Sequence, residues 1–362
     1  MRRLGSIAIA GLALVALPAS SEEKPTPKVE LSGYGQFDYR RTGADDLGTA
    51  SRHEFVGRRV RLGLAGKVNE RLSYSFAVQG DGLNANSASL LDASATVQLS
   101  SWARVQAGQF KYDFDLAGRE SASLLTLSDR SFATQAIAGG LSGASTPASP
   151  SGSFRDRGLS LTGDRLGGRL VYSLGAFQGN GRGADNNSSF AWVARVQGKP
   201  TSRLRLSAGF IDADTQDEGK PGRGHYRAWT LGAAWEWEAL LVRGEYYGAE
   251  KTRDDAKEKP DGFYQEVVRG IRDFELLARY QRFDDPAVTT AGAIESIDLG
   301  ARYFLARQGR RGGSSLLANV LVRDAPEGPL EGLTRLNDGR GTAVTTGSDL
   351  DPVFVLRLQV QF

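Results

Sequence analysis

From Val29 to the last residue the chain repeats one pattern: runs of about ten residues in which apolar and polar side chains alternate. In the first run Val29, Leu31, Phe37 and Tyr39 share one parity, and Glu30, Gln36, Asp38 and Arg40 the other. Val60, Leu62 and Leu64 then oppose Arg59, Arg61 and Lys67; Leu72, Tyr74, Phe76 and Val78 oppose Ser73, Ser75 and Gln79. A period of two puts successive side chains on opposite faces, so each run predicts a strand with one apolar and one polar face. The pattern recurs in Leu91, Ala93, Ala95 and Val97, in Ala103, Val105 and Ala107, and in Leu159 and Leu161. It continues through Leu170 to Leu174, Trp192 to Val196, Leu204 to Phe210, Trp229 to Trp237, and Val242 to Tyr246. Four more candidates begin near Phe263, Phe274, Ile297 and Leu316, before a terminal strand. No stretch keeps a helical stripe for more than a few turns.

The connectors alternate in length. Val68 to Glu70, Ser100-Ser101, Arg165 to Gly168 and Pro200 to Ser202 are short. Thr42 to Glu54, Tyr112 to Asp156, Gly179 to Ser189, Ala213 to His225, Glu250 to Gly262 and Asp324 to Leu350 are long. Short periplasmic turns in phase with long external loops predict an all-β chain folded as a transmembrane antiparallel up-and-down β-barrel. The count comes to about 16 strands, with both termini on the short-turn side. The segment from Phe263 to Asp284 reads as two strands with a turn at Arg269 to Arg272; merging or splitting there gives about 14 or 18.

Hydropathy does not oppose this. The mean hydropathy of −0.34 and 24% charged residues suit a soluble protein, but a barrel alternating apolar-out with polar-in averages to the same value. Cysteine is absent, which excludes thiolate metal sites and cysteine nucleophiles. The formal charge of +3 includes Arg2 and Arg3 of the N-terminal segment, so the chain has no overall basic field and nucleic acid is not an expected partner. Arg2 and Arg3, the uncharged run Leu4 to Leu17 and the small residues Ala19-Ser20-Ser21 form a secretory signal pattern, too short for a membrane span. The expected organisation is therefore a signal peptide over 1–21, a short periplasmic tail over 22–28, and one barrel domain over 29–362.

The C-terminus carries the sharpest local signal. Phe354, Leu356, Leu358 and Val360 alternate with Val355, Arg357, Gln359 and Gln361, and the chain stops on Phe362. Such a strand resembles the segment that outer-membrane assembly machinery recognises, which makes Phe362 the candidate assembly signal. Several segments resemble the phosphate-selective porin family: Arg58 to Gly66, Val105 to Lys111, Ala117 to Ser131, Leu174 to Gly181 and Leu277 to Tyr280, in the family's order. The resemblance implies a sixteen-stranded homotrimeric porin in the outer membrane whose third external loop, here Tyr112 to Asp156, folds into the lumen. The chain departs from the family after Lys111, where Tyr112-Asp113-Phe114-Asp115 brings two carboxylates into the expected constriction.

The candidate anion-contacting residues are Arg59, Arg61, Arg104, Arg195, Arg243, Arg279, Arg302 and Arg357 on the polar parity, with Lys111 at the loop's start. Arginine facing water can fork onto phosphate or carboxylate, and rings of it favour anions. The alternative is that these arginines pair with acids such as Asp92, Glu236, Glu245 and Asp298 and shape the pore. The loop contributes Asp113, Asp115, Arg119, Glu120, Asp129 and Arg130. Trp102, Trp192, Trp229, Trp235 and Trp237, with Tyr34, Tyr74, Tyr172, Tyr246 and Tyr303, fit aromatic girdles facing lipid headgroups. The small apolar face of Leu91 to Val97 and Ala103 to Ala107 suits close subunit packing.

His53 and His225, both expected in external loops, give an enzyme little to work with, and His53 beside Glu54 is the sole suggestive pair. The expected function is passive diffusion of small hydrophilic solutes with a weak anion preference, phosphate or polyphosphate among the candidates, with no catalysis, cofactor or metal. A barrel enzyme, or a structural or adhesive barrel without an open pore, is the alternative.

Overall fold

The computed structural model describes residues 28–42, 52–80, 88–139, 154–181, 187–214, 224–253, 256–286, 292–324 and 350–362. Residues 1–21, where a signal peptide is expected, and residues 22–27 of the expected tail lie outside these, while Lys28 already belongs to β1. Seventeen strands form one antiparallel sheet. They are β1 (Lys28–Thr42), β2 (Arg52–Lys67), β3 (Leu72–Gly80), β4 (Ala88–Ser100), β5 (Ala103–Lys111) and β6 (Arg155–Arg165). Then come β7 (Leu170–Phe177), β8 (Ala191–Gly198), β9 (Leu204–Asp214), β10 (His225–Trp237), β11 (Leu240–Arg253) and the short β12 (Ala256–Glu258). The rest are β13 (Asp261–Ile271), β14 (Phe274–Asp284), β15 (Ile294–Gln308), β16 (Gly312–Asp324) and β17 (Leu350–Gln361). β12 pairs antiparallel with the end of β11, Lys251 opposite Glu258, next to where β13 pairs with Leu240 to Gly248 of the same strand, so the barrel itself has sixteen strands.

The sheet closes where β1 pairs with β17, Phe37 opposite Leu358 and Asp38 opposite Arg357. Closure leaves no free edge. Among the described residues no helix is long and apolar enough to cross a membrane. The outward parity supplies the apolar band instead: Leu356, Leu358 and Val360 are exposed, as are Leu206, Leu231, Leu276, Ile297 and Leu299. The other parity is polar and buried, with Gln36, Asp38, Glu266, Asp298 and Arg357 all at 2% exposure or less.

Two bulges change which side chains face inward. In β2 the register shifts so that Gln36 pairs with Arg59 and Phe37 with Gly57. The extra residue, Arg58, is buried alongside Arg59. In β4 Ala77 pairs with Asp92 but Val78 with Leu90, which leaves Leu91 extra. Leu91 is fully buried and Leu90 takes the exposed place expected for it. A bulge adds one residue to a strand and so inverts parity beyond it.

Four further expectations are corrected. Tyr34 is not a girdle residue: it has the parity of Gln36, is buried, and Arg61 lies 5.3 Å over its ring. The turn after β13 falls after Ile271, because the hairpin pairing continues to Ile271 opposite Phe274. The connector Glu250 to Gly262 is largely strand, as β11 runs on to Arg253 and pairs with β12. The histidines lie at strand ends rather than in loops. His53 is in β2 with its ring 2.7 Å from the Tyr39 hydroxyl, and His225 opens β10 at 3.1 Å from both Asp212 and Asp214.

The remaining aromatics fall at the two ends of the outward face. Trp102, Trp237 and Tyr303 border the short turns, while Trp192, Trp229 and Tyr246 border the long loops. Trp229 and Tyr246 pack at 5.2 Å and Phe274 and Tyr303 at 4.7 Å.

Candidate functional site

β5 ends at Lys111, and the chain to Gly139 has little regular structure. It holds a four-residue helix α1 (Leu116–Arg119), a 3-10 turn (Ala122–Leu124) and a π turn (Thr134–Ala138). Asp115 caps α1 by accepting from Gly118 N at 3.0 Å. The loop described as Tyr112 to Asp156 at sequence level is shorter at its far end, since Arg155 and Asp156 already belong to β6. Irregular backbone that leaves water needs partners for its N–H and C=O groups. Here the polar parity of the wall supplies them.

Glu245 of β11 accepts from Leu116 N at 2.8 Å and Ala117 N at 3.0 Å. Gln281 of β14 accepts from Phe132 N at 2.8 Å, and Asn319 of β16 from Ser128 N at 3.1 Å. Gln36 and Gln359 donate to Ala122 O and Ser123 O, each at 3.0 Å. Three arginines donate to successive loop carbonyls: Arg302 to Leu125 O and Thr126 O, Arg357 to Ser128 O at 2.7 Å, and Arg279 to Asp129 O at 2.9 Å. The guanidinium suits this, with several donors in one rigid plane that can serve a carboxylate and a carbonyl together. Arg357 does so, holding Asp38 at 2.7 and 2.8 Å while it reaches the loop. Gly209 of β9 permits the approach, because a Cβ there would overlap Phe114 O.

The loop's carboxylates are each engaged. Asp113 takes Arg119 at 2.5 Å and Arg195 at 2.9 Å; Glu120 takes Arg243 at 2.7 Å and Arg311 at 2.9 Å. Asp129 lies 2.9 Å from Arg58 and 3.6 Å from Arg59. Burial alone would raise the Glu120 carboxyl, but Arg243 and Arg311 hold it down at about 2. Burial is likewise outweighed at Asp129, where Arg58 and Arg59 hold the carboxyl well below the usual range. Lys111 turns back onto the loop, donating to Gly118 O at 2.9 Å and Glu120 O at 2.6 Å. Arg130 likewise donates to Ala117 O at 3.2 Å.

Between this loop and the wall of β7 to β11 lies a cavity of about 380 Å³. Arg119, Arg195, Arg205 and Arg243 line it with Glu120, Gln197 and apolar residues. Arg205 is held by Glu236, which also takes Arg310 at 2.7 Å. Among buried polar atoms, Arg195 Nε has no hydrogen-bond partner.

The candidate arginines therefore divide. Arg195 and Arg243 line the cavity, while Arg279, Arg302 and Arg357 secure the loop. Arg59 donates to Gln36 at 3.2 Å and Arg61 to Gln79 at 2.9 Å, on the opposite side of the barrel. Arg104 is apart, exposed near the short-turn end with Thr162 at 2.9 Å. Of the acids expected to pair, Asp92 meets Arg155 at 2.7 Å, and Asp298 and Glu236 meet arginines. Glu245 instead meets backbone N–H groups and two tyrosines. Sequence reasoning missed Arg58, Arg205 and Arg311. Arg205 had the signal, alternating with Leu204 and Leu206, whereas Arg311 lies in the β15–β16 turn, where parity has no meaning.

Residues 29–200 match the family model for phosphate-selective porin O and P. No curated protein matches the chain by sequence. Solved outer-membrane channels share the fold at low identity. An anion-selective porin from Comamonas acidovorans is 16% identical, with 93% of this chain and 100% of that one aligned at a TM-score of 0.70. The outer membrane channel DcaP of Acinetobacter baumannii is 13% identical, covering 93% and 97% at a TM-score of 0.64. OmpF of Salmonella typhi is 12% identical, covering 92% and 98% at a TM-score of 0.65.

Proposed function

We propose that this protein, an outer-membrane porin by its barrel and by the family its residues 29–200 match, passes small hydrophilic solutes with a weak preference for anions. The reading rests on the cavity beside α1, where four arginines face one carboxylate. The loop and the wall of β7 to β11 form the constriction. Charges there dominate, because salt limits the reach of more distant ones to about 8–10 Å. The two carboxylates by which Tyr112 to Asp115 departs from the family do not reverse the sign: Asp113 is held between two arginines, and Asp115 caps α1. A dedicated phosphate site is not part of the proposal, since the strand arginines are largely committed to the loop and to acids. Proteoliposome swelling in anionic and cationic solutes of equal size tests this. Faster entry of the anion is expected; equal or slower entry would refute the preference, and no swelling would favour a structural barrel.

The same reading covers export and assembly. Residues 1–21 act as a cleaved signal peptide, Phe362 as the signal for barrel assembly, and three copies associate through the small residues of β4 and β5. Ala93, Ala95 and Ala107, which are not buried, support that contact; Leu91 and Ala103 do not, being buried within their own barrel. A monomer mass in detergent by light scattering would contradict the trimer. Catalysis is no part of the reading.

A further inference from the structure

The hydroxyl of Tyr247 lies 2.9 Å from a carboxyl oxygen of Asp115, 2.9 Å from one of Glu245 and 2.9 Å from the Thr134 hydroxyl. A phenol has one proton to donate. Glu245 is already a well-served anion, with Leu116 N, Ala117 N and the Tyr264 hydroxyl on it, the last at 2.9 Å. If Tyr247 donates to Glu245, its contact with Asp115 is a hydrogen bond only when Asp115 carries a proton and donates it.

Among the described residues no cation hydrogen-bonds to either carboxylate, and Arg130, the one cation near enough to lower the Asp115 carboxyl, does so by less than burial and Glu245 raise it. Lys111 and Arg130, from the same segment, are turned onto loop carbonyls. Arg243 on β11 serves Glu120 and Glu266, the latter on β13, and Arg195 and Arg119 serve Asp113. The remaining neighbours, Tyr264 on β13 and Thr134 on the π turn, are neutral. Two bare carboxylates sharing a dry site would be strongly unfavourable.

We propose that Asp115 and Glu245 share one carboxyl proton across the Tyr247 hydroxyl, and that this proton latches the constriction loop to β11 so that docking weakens as pH rises towards neutrality. Burial and the adjacent Glu245 push the Asp115 carboxyl up to about 7. The sign follows from linkage. A carboxyl raised in the docked state favours docking below its ordinary range, and the advantage is lost as pH rises to the docked value. The latch is fully set only below the ordinary carboxyl value of 3.8, weakens through the mildly acid range and is weakest above about pH 7.

Hydrogen exchange of the amides in residues 113–120, corrected for intrinsic rates, reads this directly and does not depend on ion selectivity. One proton predicts protection that falls by up to about tenfold per pH unit from pH 5 to 7 and then levels. Asp115→Asn, whose amide can donate to Tyr247 and still accept from Gly118, should be flat with pH. A flat wild-type profile, or an unchanged fall in Asp115→Asn, would overturn the proposal. Difference infrared spectroscopy of the wild-type protein checks it without a variant. A protonated-carboxyl band should vanish between pH 6 and 8, and its absence at pH 6 would equally overturn it.

Discussion

Arg195 on β8 places a guanidinium nitrogen 2.9 Å from the Asp113 carboxylate, joining the first acid of the loop to the wall it faces. Arg119 holds the other oxygen, so Asp113 offsets part of the positive lining of the cavity. Asp113→Asn should therefore move the reversal potential further towards anion preference. A shift towards cations, or none, would mean that Asp113 lies outside the electrostatic reach of the passage.

Arg357 and Arg302 predict a different phenotype, because they hold the loop rather than face the cavity. Arg357→Ala leaves buried Asp38 with Arg40 as its one ion-pair partner among the described residues and frees Ser128 O. Removing one partner of a buried pair costs about 3–5 kcal/mol, so a marked fall in unfolding temperature and noisier single-channel current are expected. A variant as stable and quiet as the wild type would remove Arg357 from its anchoring role.

The outward parity gives a stability test. Leu358→Arg, facing lipid near the midplane, should cost roughly 2–4 kcal/mol, measured by reversible folding into lipid. Parity alone would call Gln359 permissive. Its side chain donates to Ser123 O at 3.0 Å and Gly313 O at 2.9 Å, so Gln359→Arg should also destabilise, through the loop. Equal folding of Leu358→Arg and wild type would refute the assigned parity.

The seam makes the fourth prediction. Gly33 and Phe362 exchange both backbone hydrogen bonds at 3.0 Å, and a Cβ on Gly33 would come within 2.5 Å of the Phe362 ring. Gly33→Val should slow barrel closure, and deletion of Phe362 should impair it more. Time-resolved folding on electrophoretic gels distinguishes the two, and unchanged rates for both would deny the seam a role in closure.

Much of this was legible in the alternation. A sheet that meets lipid on one face and water on the other must alternate, so strand number, closing strand and outward parity could be read from residues such as Leu356 and Arg357. The bulges could not be read. Arg58 and Arg59 look like one inward and one outward residue, and only the pairing of Phe37 with Gly57 turns both inward. Nor could the use of the arginines be read, because Arg302 and Arg195 have the same parity on equivalent strands. What separates them is where the loop lies, and that follows from long-range partners such as Glu245, Gln281 and Asn319 rather than from local pattern.

Screening adds a condition. The preference should be clear near 0.1 M salt, where the Debye length is about 10 Å, and fade near 1 M, where it is about 3 Å. A preference that persists undiminished at 1 M would point to a binding site with direct contacts instead of a field.

The reversal potential across a planar bilayer under a salt gradient, at low ionic strength, tests the central claim most directly. Wild-type protein should show stepwise conductance and a reversal potential on the anion side. Replacing Arg119, Arg195 and Arg205 by alanine should move it to zero or beyond, while Arg302→Ala should leave its sign unchanged. A wild-type potential on the cation side, or a preference untouched by the triple replacement, would contradict the assignment of the arginine-lined cavity as the selective constriction.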